Sequence, residues 1–255
     1  MLLSLSAAFC FAVGVQFSKL GLNHANFRVG ALITITSSAA FFWLCMPLYW
    51  PLPKWSWPAA ALFAAIGLIR PFVSGQLAQA ANQYLGPTIS NTLGSSGPLF
   101  ALAFGVVILG EALDLPTLLG AFAIVAGVMV LSWRGADSKT IAWWALALPL
   151  GAAFIRALAQ GLTKLGYDAL PSPYLAALIS YTVSTALAFA LHVRMGGSIA
   201  ALPGQTGLKW FVAAGAINGC AILCLNFALA YGDLILVAPL VATSPVFTLA
   251  LSWAV

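Results

Sequence analysis

The sequence predicts an all-α integral membrane protein, and its composition and long apolar segments are the observations that predict it. Of its 255 residues, 62% are hydrophobic, and the mean hydropathy is +1.03. Only 6% are charged, whereas an ordinary globular domain carries about 25%. A soluble protein of this length has too little interior to bury so many apolar side chains, but lipid removes the need to bury them. The composition therefore excludes a soluble fold.

Nine apolar segments are long enough to cross a bilayer, which takes about 20 mostly apolar residues in a helix. In chain order they cover residues 2–21, 28–50, 57–83, 86–109, 115–133, 141–164, 173–194, 208–230 and 234–255. The first follows Met1 directly, without a basic region or a small-residue cleavage site, and so predicts a spanning helix rather than a signal peptide. Helix-breaking residues separate the segments, as at Pro171-Ser172-Pro173 and at a tight turn near Gly86-Pro87.

Self-comparison of the sequence reveals an internal repeat whose offset drifts from 145 to 147 residues. The matched positions include Lys19 with Lys164, Thr34 with Ser180, Ser38 with Ser184, Tyr84 with Tyr231, Pro98 with Pro245 and Phe100 with Phe247. Chance similarity is common among small apolar residues, but it does not account for matched lysines, tyrosines and prolines at a nearly constant offset. The chain is therefore predicted to contain two copies of one structural unit.

The repeat unit comprises five spans, an odd number, so the second copy must enter the bilayer in the opposite direction to the first. Two inverted copies that face each other enclose a cavity near the middle of the membrane, and exchanging their conformations converts an inward-open state into an outward-open one. The predicted fold is thus an inverted repeat of five transmembrane helices. Because Val255 matches Ile108, we expect nine helices to be present and the tenth to be missing.

Ionisable residues deep in a membrane are costly and are kept mainly where they face a cavity or one another. Arg70 lies near the centre of its span, about 20 Å from either end at 1.5 Å per residue, too far for its side chain to reach the surface. Arg156, Gln160 and Lys164 follow at intervals of four residues and form one polar stripe on a helix. We predict that Arg70 and this stripe line a substrate pathway. The alternatives are a structural contact for Arg70 and, for Lys164 and its repeat partner Lys19, extension to the membrane surface.

Amide side chains extend the predicted pathway. Gln76, Gln79 and Gln83 share one face of the third span and, with Asn226, complete the pathway-lining set. Each amide alone is more often a hydrogen bond between helices than a ligand for a substrate, and this alternative stays open.

Prolines and glycines are predicted to shape the helices around this pathway. Pro71 should break the third span and free backbone carbonyls there. Pro98 and Pro245, matched across the repeat, should bend the fourth and ninth spans. Gly120 and Gly127 should permit close helix packing.

The acidic residues lie away from the middle of the membrane. Glu111, Asp114, Asp168 and Asp233 fall at span ends, and Asp137 lies in a loop. A proton-coupled exporter of cations requires a mid-membrane carboxylate that alternates between proton and substrate, and the sequence offers none. A cavity with two arginines and no acid repels cations and favours anionic or zwitterionic solutes. Glu111 and Asp114 are instead predicted to cap the first turn of the fifth helix.

Neither a metal centre nor a catalytic constellation is predicted. All four cysteines lie in apolar segments, and Cys220 and Cys224, which share a helix face, lack a neighbouring histidine or acid. His24 and His192 are the only histidines, and neither has a ligand-spaced or nucleophilic partner. We therefore predict no metal, no cofactor and no enzymatic activity.

Several short motifs give the chain a family resemblance. They are Pro98-Leu99-Phe100, Leu109-Gly110-Glu111, Gly120 with Gly127, Asn226-Phe227-Ala228-Leu229-Ala230-Tyr231-Gly232 and Ser244-Pro245-Val246-Phe247. With these motifs in this order, the chain resembles the EamA-type members of the drug/metabolite transporter superfamily, which have ten helices. The resemblance implies a first EamA-like repeat over residues 1–134 and a second, inverted repeat over 140–255 that is truncated after its fourth helix. It also implies a multi-pass solute carrier of the cytoplasmic membrane, often an exporter.

Together these features predict a secondary transporter, an exporter or exchanger of a small anionic or zwitterionic metabolite that works by alternating access. Its expected partners are a small-molecule substrate and the lipid bilayer, and a homodimer is left open. Nucleic acid is not expected, because the net charge of +5 is not gathered in a basic cluster. The alternative is a membrane scaffold or sensor, which the absence of substrate-dependent flux would identify.

The orientation in the membrane is left open by the sequence. Cationic loop residues lie mostly on one predicted side, and the positive-inside rule then places the amino terminus outside. These residues are Arg28, Arg134, Lys139, Arg194 and Lys209, against Lys54 alone on the other side. The family resemblance implies the opposite orientation, and cysteine accessibility at loop positions decides between the two.

Overall fold

The computed structural model describes residues 1–24, 27–51, 53–132, 143–196 and 207–254, and within these ranges the chain forms helices and no strands. The helices are α1 (Leu2–Leu22), α2 (Phe27–Cys45), α3 (Trp57–Leu68), α4 (Ser74–Gly94), α5 (Gly97–Val107), α6 (Leu115–Ser132), α7 (Ala147–Gly166), α8 (Pro173–Arg194), α9 (Leu208–Tyr231), α10 (Leu234–Val241) and α11 (Ser244–Ala254). Arg134, Lys139, the predicted repeat boundary between residues 134 and 140, and the side chain of Gln79 lie outside the described parts of the chain.

Seven helical stretches of the described chain are long and apolar enough to cross a membrane. They are Leu2–Leu22, Arg28–Tyr49, Trp57–Gly86, Trp143–Gly166, Pro173–Arg194, Leu208–Tyr231 and Leu234–Ser252. These stretches confirm the predicted all-α, multi-pass membrane protein. The predicted fifth span is the shorter apolar helix Leu115–Val130 within α6, and the predicted fourth span is divided between the second half of α4 and α5.

The predicted third span is interrupted in its middle. A π-helical turn, Ile69–Val73, joins α3 to α4, and within it Arg70 leaves the helical conformation, with φ −136° and ψ 134°. Pro71 lies in this turn, where the sequence predicts a break. The hydroxyl of Ser184 in α8 donates its one hydrogen to the Gly67 carbonyl and shares it with the more distant Arg70 carbonyl at 3.3 Å. Backbone groups freed by the break are thus satisfied inside the protein, as a membrane requires.

The predicted fourth and ninth spans are also interrupted. The chain turns sharply at Gly86, whose φ of 78° lies in the left-handed region that favours glycine, and α4 continues to Gly94. A gap separates α4 from α5 at Gly97, and a similar gap separates α10, which ends at Val241, from α11, which begins at Ser244. Gly94 and Val241 are 147 residues apart, as are Gly97 and Ser244. The two interruptions therefore occupy matched positions of the sequence repeat.

Matched hydroxyl groups satisfy backbone carbonyls at these two interruptions. The Ser96 hydroxyl donates to the Leu93 carbonyl at 2.7 Å, and the Thr243 hydroxyl donates to the Leu240 carbonyl at 2.7 Å. The same carbonyls also accept the backbone N–H groups of Ser96 at 3.2 Å and Thr243 at 3.3 Å, so backbone and side chain of one residue pair each of them.

Helices of the two predicted halves pack against each other. α1 packs against α9 and α11, whereas α7 packs against α4 and α5. Similarly, α2 packs against α9 and α8 packs against α3. In the repeat, α1 matches α7, α2 matches α8, α11 matches α5, and α9 matches α3 with the first part of α4. Each contact in one half therefore has a counterpart in the other. The contacts agree with a two-fold repeat, and the inverted direction of the second copy stays a prediction.

Two close helix crossings show the same correspondence between residues. The Ser38 hydroxyl of α2 donates to the Gly215 carbonyl of α9 at 2.7 Å, and Ser184, the repeat partner of Ser38, donates to Gly67. A Cβ atom at Gly215 would lie 2.6 Å from the Thr34 carbonyl oxygen, so this crossing requires glycine. At Gly67 a Cβ atom would likewise collide with the backbone of α8.

Gly120 and Gly127 make no close helix contact within the described part of the chain, and their predicted role in packing stays a prediction. Both are exposed on α6, and a Cβ atom at either position would meet no described atom within 4 Å. The spacing of small residues identifies a helix face but not the surface that it meets. The close approaches lie at Gly67 and Gly215 instead.

Candidate functional site

A cavity of about 660 Å³ lies between the two predicted halves. Its size falls within the range of about 300–1,000 Å³ that is usual for small-molecule sites. α1 contributes lining residues between positions 11 and 19, and α7 contributes them between 149 and 160. Both helix interruptions border it, through Ser95 and Ala242. The interruptions therefore bring backbone ends, rather than continuous helix surfaces, to the cavity.

The cavity is electropositive. Three cationic side chains, Lys19, Arg70 and Arg156, line it, and its described lining residues include no acid. The uncharged polar lining residues are Asn82, Ser90, Asn91, Ser95, Gln160, Ser244, Thr248 and Ser252. In the described part of the chain, no group of three or more His, Cys, Asp or Glu residues could hold a metal ion. The described cavity therefore offers a ligand positive charge and hydrogen bonds.

Arg156 connects α7 to the interruption between α4 and α5. Its Nη2 atom donates to the Gly94 carbonyl at 3.3 Å. A guanidinium group carries five N–H donors, and this bond uses one of them. Gln160 lies one helical turn further along α7 and lines the same cavity. The structure thus brings two members of the predicted polar stripe to the cavity.

Arg70 reaches the cavity from the π-helical turn between α3 and α4. Its charge is close enough to that of Arg156 for the two to repel each other. On its other side, Arg70 borders a narrow crevice together with Tyr181 and Asn226. An anionic group beside both guanidinium groups would offset their repulsion, because charges interact strongly where water is excluded.

Pro98 and Pro245 both line the cavity. Each occupies the second position of its helix, α5 or α11, directly after an interruption. Proline is tolerated there because the N–H groups of the first helical turn have no partner within the helix. These prolines therefore lie just after two-residue interruptions of spans four and nine.

The predicted glutamine face of α4 does not line the cavity. Gln76 and Gln83 are exposed and are not among the cavity-lining residues. Their spacing shows that they share a face, but the π-helical turn before α4 shifts that face relative to α3. The α4 residues that reach the cavity near them are Ala78 and Asn82.

Asn226 also lies outside the main cavity. Its side-chain amide donates to the Pro173 carbonyl at 3.0 Å, and the residue is only 4% exposed. This bond connects α9 to the start of α8. In this structure Asn226 makes the hydrogen bond between helices that an amide at membrane depth often makes, and its pathway role stays a prediction.

Lys164 is the centre of an ion cluster and not a cavity-lining residue. Its Nζ atom donates to Glu111 Oε1 at 2.6 Å, to the Gly232 carbonyl at 2.8 Å and to Asp233 Oδ1 at 3.2 Å. Its side chain is 22% exposed, and it lies in the last turn of α7 beside the exposed Asp233, so the alternative of extension to the membrane surface stays open. We call Glu111, Lys164 and Asp233 the ion cluster. The spacing in the sequence could not show it, since 53 residues separate Glu111 from Lys164.

Glu111 caps α10, whereas the sequence predicts that it caps α6. Its two carboxylate oxygens accept hydrogen bonds from the backbone N–H groups of Leu234 at 2.8 Å and Ile235 at 2.9 Å. The loop after α5 folds back on itself, with the Glu111 N–H donating to the Gly105 carbonyl at 2.9 Å. A carboxylate is favoured at any helix start by the free N–H groups and the helix dipole. The sequence shows that Glu111 is suited to cap a helix, but it does not show which helix Glu111 caps.

Asp114 takes the capping role predicted for it. Its Oδ1 atom accepts a hydrogen bond from the Thr117 backbone N–H at 3.2 Å, in the first turn of α6. Hydrogen bonds from the Thr117 side chain and backbone hold the pKa of this exposed carboxyl below its ordinary value of 3.8. The two carboxylates of this loop therefore cap helices in different predicted halves.

Several cavity-lining residues are absent from the predicted set, among them Lys19, Asn82 and Asn91. The two asparagines are amides at membrane depth, and this is the signal that the sequence offers. That signal is weak because many such amides pack between helices. Lys19 lies near the end of its span, where a lysine more often extends to the surface.

Comparisons with known proteins agree with this architecture. One solved structure, described as "Crystal structure of protein", is similar to this chain with a TM-score of 0.82 and 18% identity, over 99% of this chain and 87% of that one. At this identity the likeness concerns the fold alone. A comparison with curated protein sequences finds no match. The EamA-like transporter family matches residues 1–133, more than half of the 255 residues. The chain therefore belongs to the EamA-like transporter family and is a multi-pass membrane transporter of the drug/metabolite transporter superfamily.

Proposed function

We propose that this transporter exports or exchanges a small anionic or zwitterionic metabolite across the cytoplasmic membrane by alternating access. The observation that carries this proposal is the cavity, which Lys19, Arg70 and Arg156 line without an acid among the described lining residues. Its volume of about 660 Å³ suits a small metabolite. No chemical change of the substrate is part of the proposal.

The charges of the cavity favour a carboxylate or another anion. Arg70 and Arg156 repel each other, and the described cavity residues supply no counter-charge. A substrate carboxylate would provide it, and the planar guanidinium group matches a carboxylate with two parallel hydrogen bonds. In a zwitterion, the amino group would find an acceptor oxygen in Asn91, which lines the same cavity.

The extent of the cavity supports alternating access. It reaches Lys19 and Ser252, close to the carboxyl ends of α1 and α11. In the opposite direction its α7 lining stops at Gln160, one helical turn before Lys164. A cavity that extends toward one end of the helices and stops short of the other is the geometry that alternating access requires.

Uptake into liposomes tests this proposal. The purified full-length protein is reconstituted and offered radiolabelled dicarboxylates, amino acids and the lipophilic cation tetraphenylphosphonium. We expect transport of one or more of the first two classes. Arg156→Gln should lower that transport about tenfold, since it removes a charge-assisted hydrogen bond. Arg194→Gln is the matched control, because Arg194 is exposed at the end of α8.

Two other results would contradict the proposal. One is faster transport of tetraphenylphosphonium than of every anion, with the same preference in the Arg70→Gln and Arg156→Gln variants. The other is the absence of flux for the whole panel, although one compound raises the thermal unfolding temperature of the protein. That second result would favour a sensor that binds the metabolite without moving it.

A further inference from the structure

The ion cluster connects the two predicted halves at the end of the molecule that the cavity does not reach. Glu111 belongs to the first half, whereas Lys164 and Asp233 belong to the second. All three ammonium hydrogens of Lys164 have an acceptor, namely Glu111, Asp233 and the Gly232 carbonyl. The lysine is therefore held by both halves at once.

Glu111 is the most deeply buried member of the ion cluster. Its side chain is 5% exposed, and its carboxylate holds both Lys164 and the first turn of α10. Gly105 makes room for this arrangement. A Cβ atom there would lie 2.8 Å from Glu111 Oε2 and 2.5 Å from Ile235 Cγ2. The packing of α5, the Glu111 loop and α10 is therefore specific to the carboxylate.

The cavity ends just before the ion cluster. On α7 the last lining residue is Gln160, four residues before Lys164, and on α10 the first is Ala238, three residues after Ile235. A solute leaving the cavity toward this end would have to pass between α7, α10 and the Glu111 loop. The ion cluster joins these three elements.

We propose that Glu111, Lys164 and Asp233 form a gate that keeps this end of the cavity closed and that must separate for substrate to leave there. The proposal rests on the proposed transport function. The three side chains are positioning residues: they hold α10 against α7 and the Glu111 loop, and none of them lines the cavity.

The exposure of the cluster suits a contact that opens and closes. Asp233 is 58% exposed and Lys164 is 22% exposed, and both lie at the ends of membrane-spanning stretches, where water is expected. Separated charges in a dry interior would be very costly, whereas charges that become hydrated on separation are much less so. By contrast, Lys19, the repeat partner of Lys164, lines the cavity and makes no ion pair with any described residue.

Sided cysteine labelling tests the gate. In a variant without its four native cysteines, Ala157→Cys places a reporter in the cavity, since Ala157 lines it. The impermeant anionic reagent 2-sulfonatoethyl methanethiosulfonate is added to oriented vesicles from the side of the Glu111 loop. Labelling from that side should be slow in the reporter protein. Lys164→Met should raise it about tenfold, because the closed conformation loses a charge-assisted contact.

Two further variants make the test specific. Lys164→Met leaves Glu111 able to cap α10, whereas Glu111→Gln weakens both contacts and should raise labelling at least as much. Asp168→Asn, at an exposed acid just after α7, should leave labelling unchanged. A merely structural role would lower the thermal unfolding temperature without changing the side from which the reporter is labelled.

The outcomes separate the gate from the transport function. Folded Lys164→Met and Glu111→Gln proteins that label no faster than the reporter protein would overturn the gate, even if anion transport is found. Faster labelling from this side in a protein that moves no anion would support the gate and count against the proposed substrate.

Discussion

The two matched lysines, Lys164 and Lys19, lie in very different surroundings. Lys164 is bonded to two carboxylates and a carbonyl at the end of α7. Lys19, at the corresponding position of α1, lines the cavity and has no described ion pair. The two helices are similar in sequence, but within the described chain only Lys164 meets an acidic loop. We call the end of the cavity beside Lys164 the closed end and the end beside Lys19 the open end.

Removing the carboxylate at the closed end should have the largest effect on stability. Glu111→Ala removes two hydrogen bonds to the first turn of α10 and the contact with Lys164. We expect a loss of about 3 kcal/mol from the free energy of unfolding. The measurement is denaturation by sodium dodecyl sulfate in mixed micelles. Asp168→Ala, at an exposed acid of the same end, should change it by less than about 0.5 kcal/mol, and equal losses would show that these contacts contribute little.

The two lysines themselves should differ in the same assay. Lys164→Gln breaks a part-buried ion pair and should cost about 1 kcal/mol. Lys19→Gln breaks no described ion pair and should stay within about 0.5 kcal/mol of the wild type. If Lys19→Gln were the more costly of the two, the contrast between a closed and an open end would be wrong.

The smallest effect is expected at the exposed carboxylate of the same loop. The folded state lowers the pKa of Asp114, so its contribution to stability is present above the ordinary value of 3.8 and is lost as the pH falls through the folded value. Asp114→Asn should therefore lower the thermal unfolding temperature slightly at pH 6 and not at pH 2. A difference that persists unchanged at pH 2 would show that the effect does not come from ionisation.

Much of the fold follows from short-range patterns in the sequence. Most of the apolar segments match membrane-spanning stretches to within a few residues, for example 173–194 for α8 (Pro173–Arg194). Pro71 predicts the break in the third span, since proline removes a helical hydrogen bond. These features depend on residues that are neighbours along the chain.

The parts that could not be predicted depend on contacts between distant residues. The face that holds Gln76 and Gln83 is correctly spaced, but spacing does not show whether a face meets lipid or cavity. Glu111 is correctly identified as a cap, yet the helix that it caps begins 123 residues later. Asn226 and Lys164 have the right chemistry for a pathway, but packing gives both of them other partners.

The interruptions in spans four and nine affect how easily the molecule can change shape. α10 has eight residues, a length of about 12 Å, well under half the thickness of a hydrocarbon core of about 30 Å. Bending a continuous helix would stretch its internal hydrogen bonds, but at Ser96 and Thr243 the hydroxyl bonds are already in place. Backbone hydrogen bonds also cross these joints, such as Leu99 N–H to the Ser96 carbonyl, but the interrupted helices have fewer of them to strain than a continuous helix would. We expect shape changes to concentrate at these two hinge positions beside the cavity, while the long helices move as rigid units.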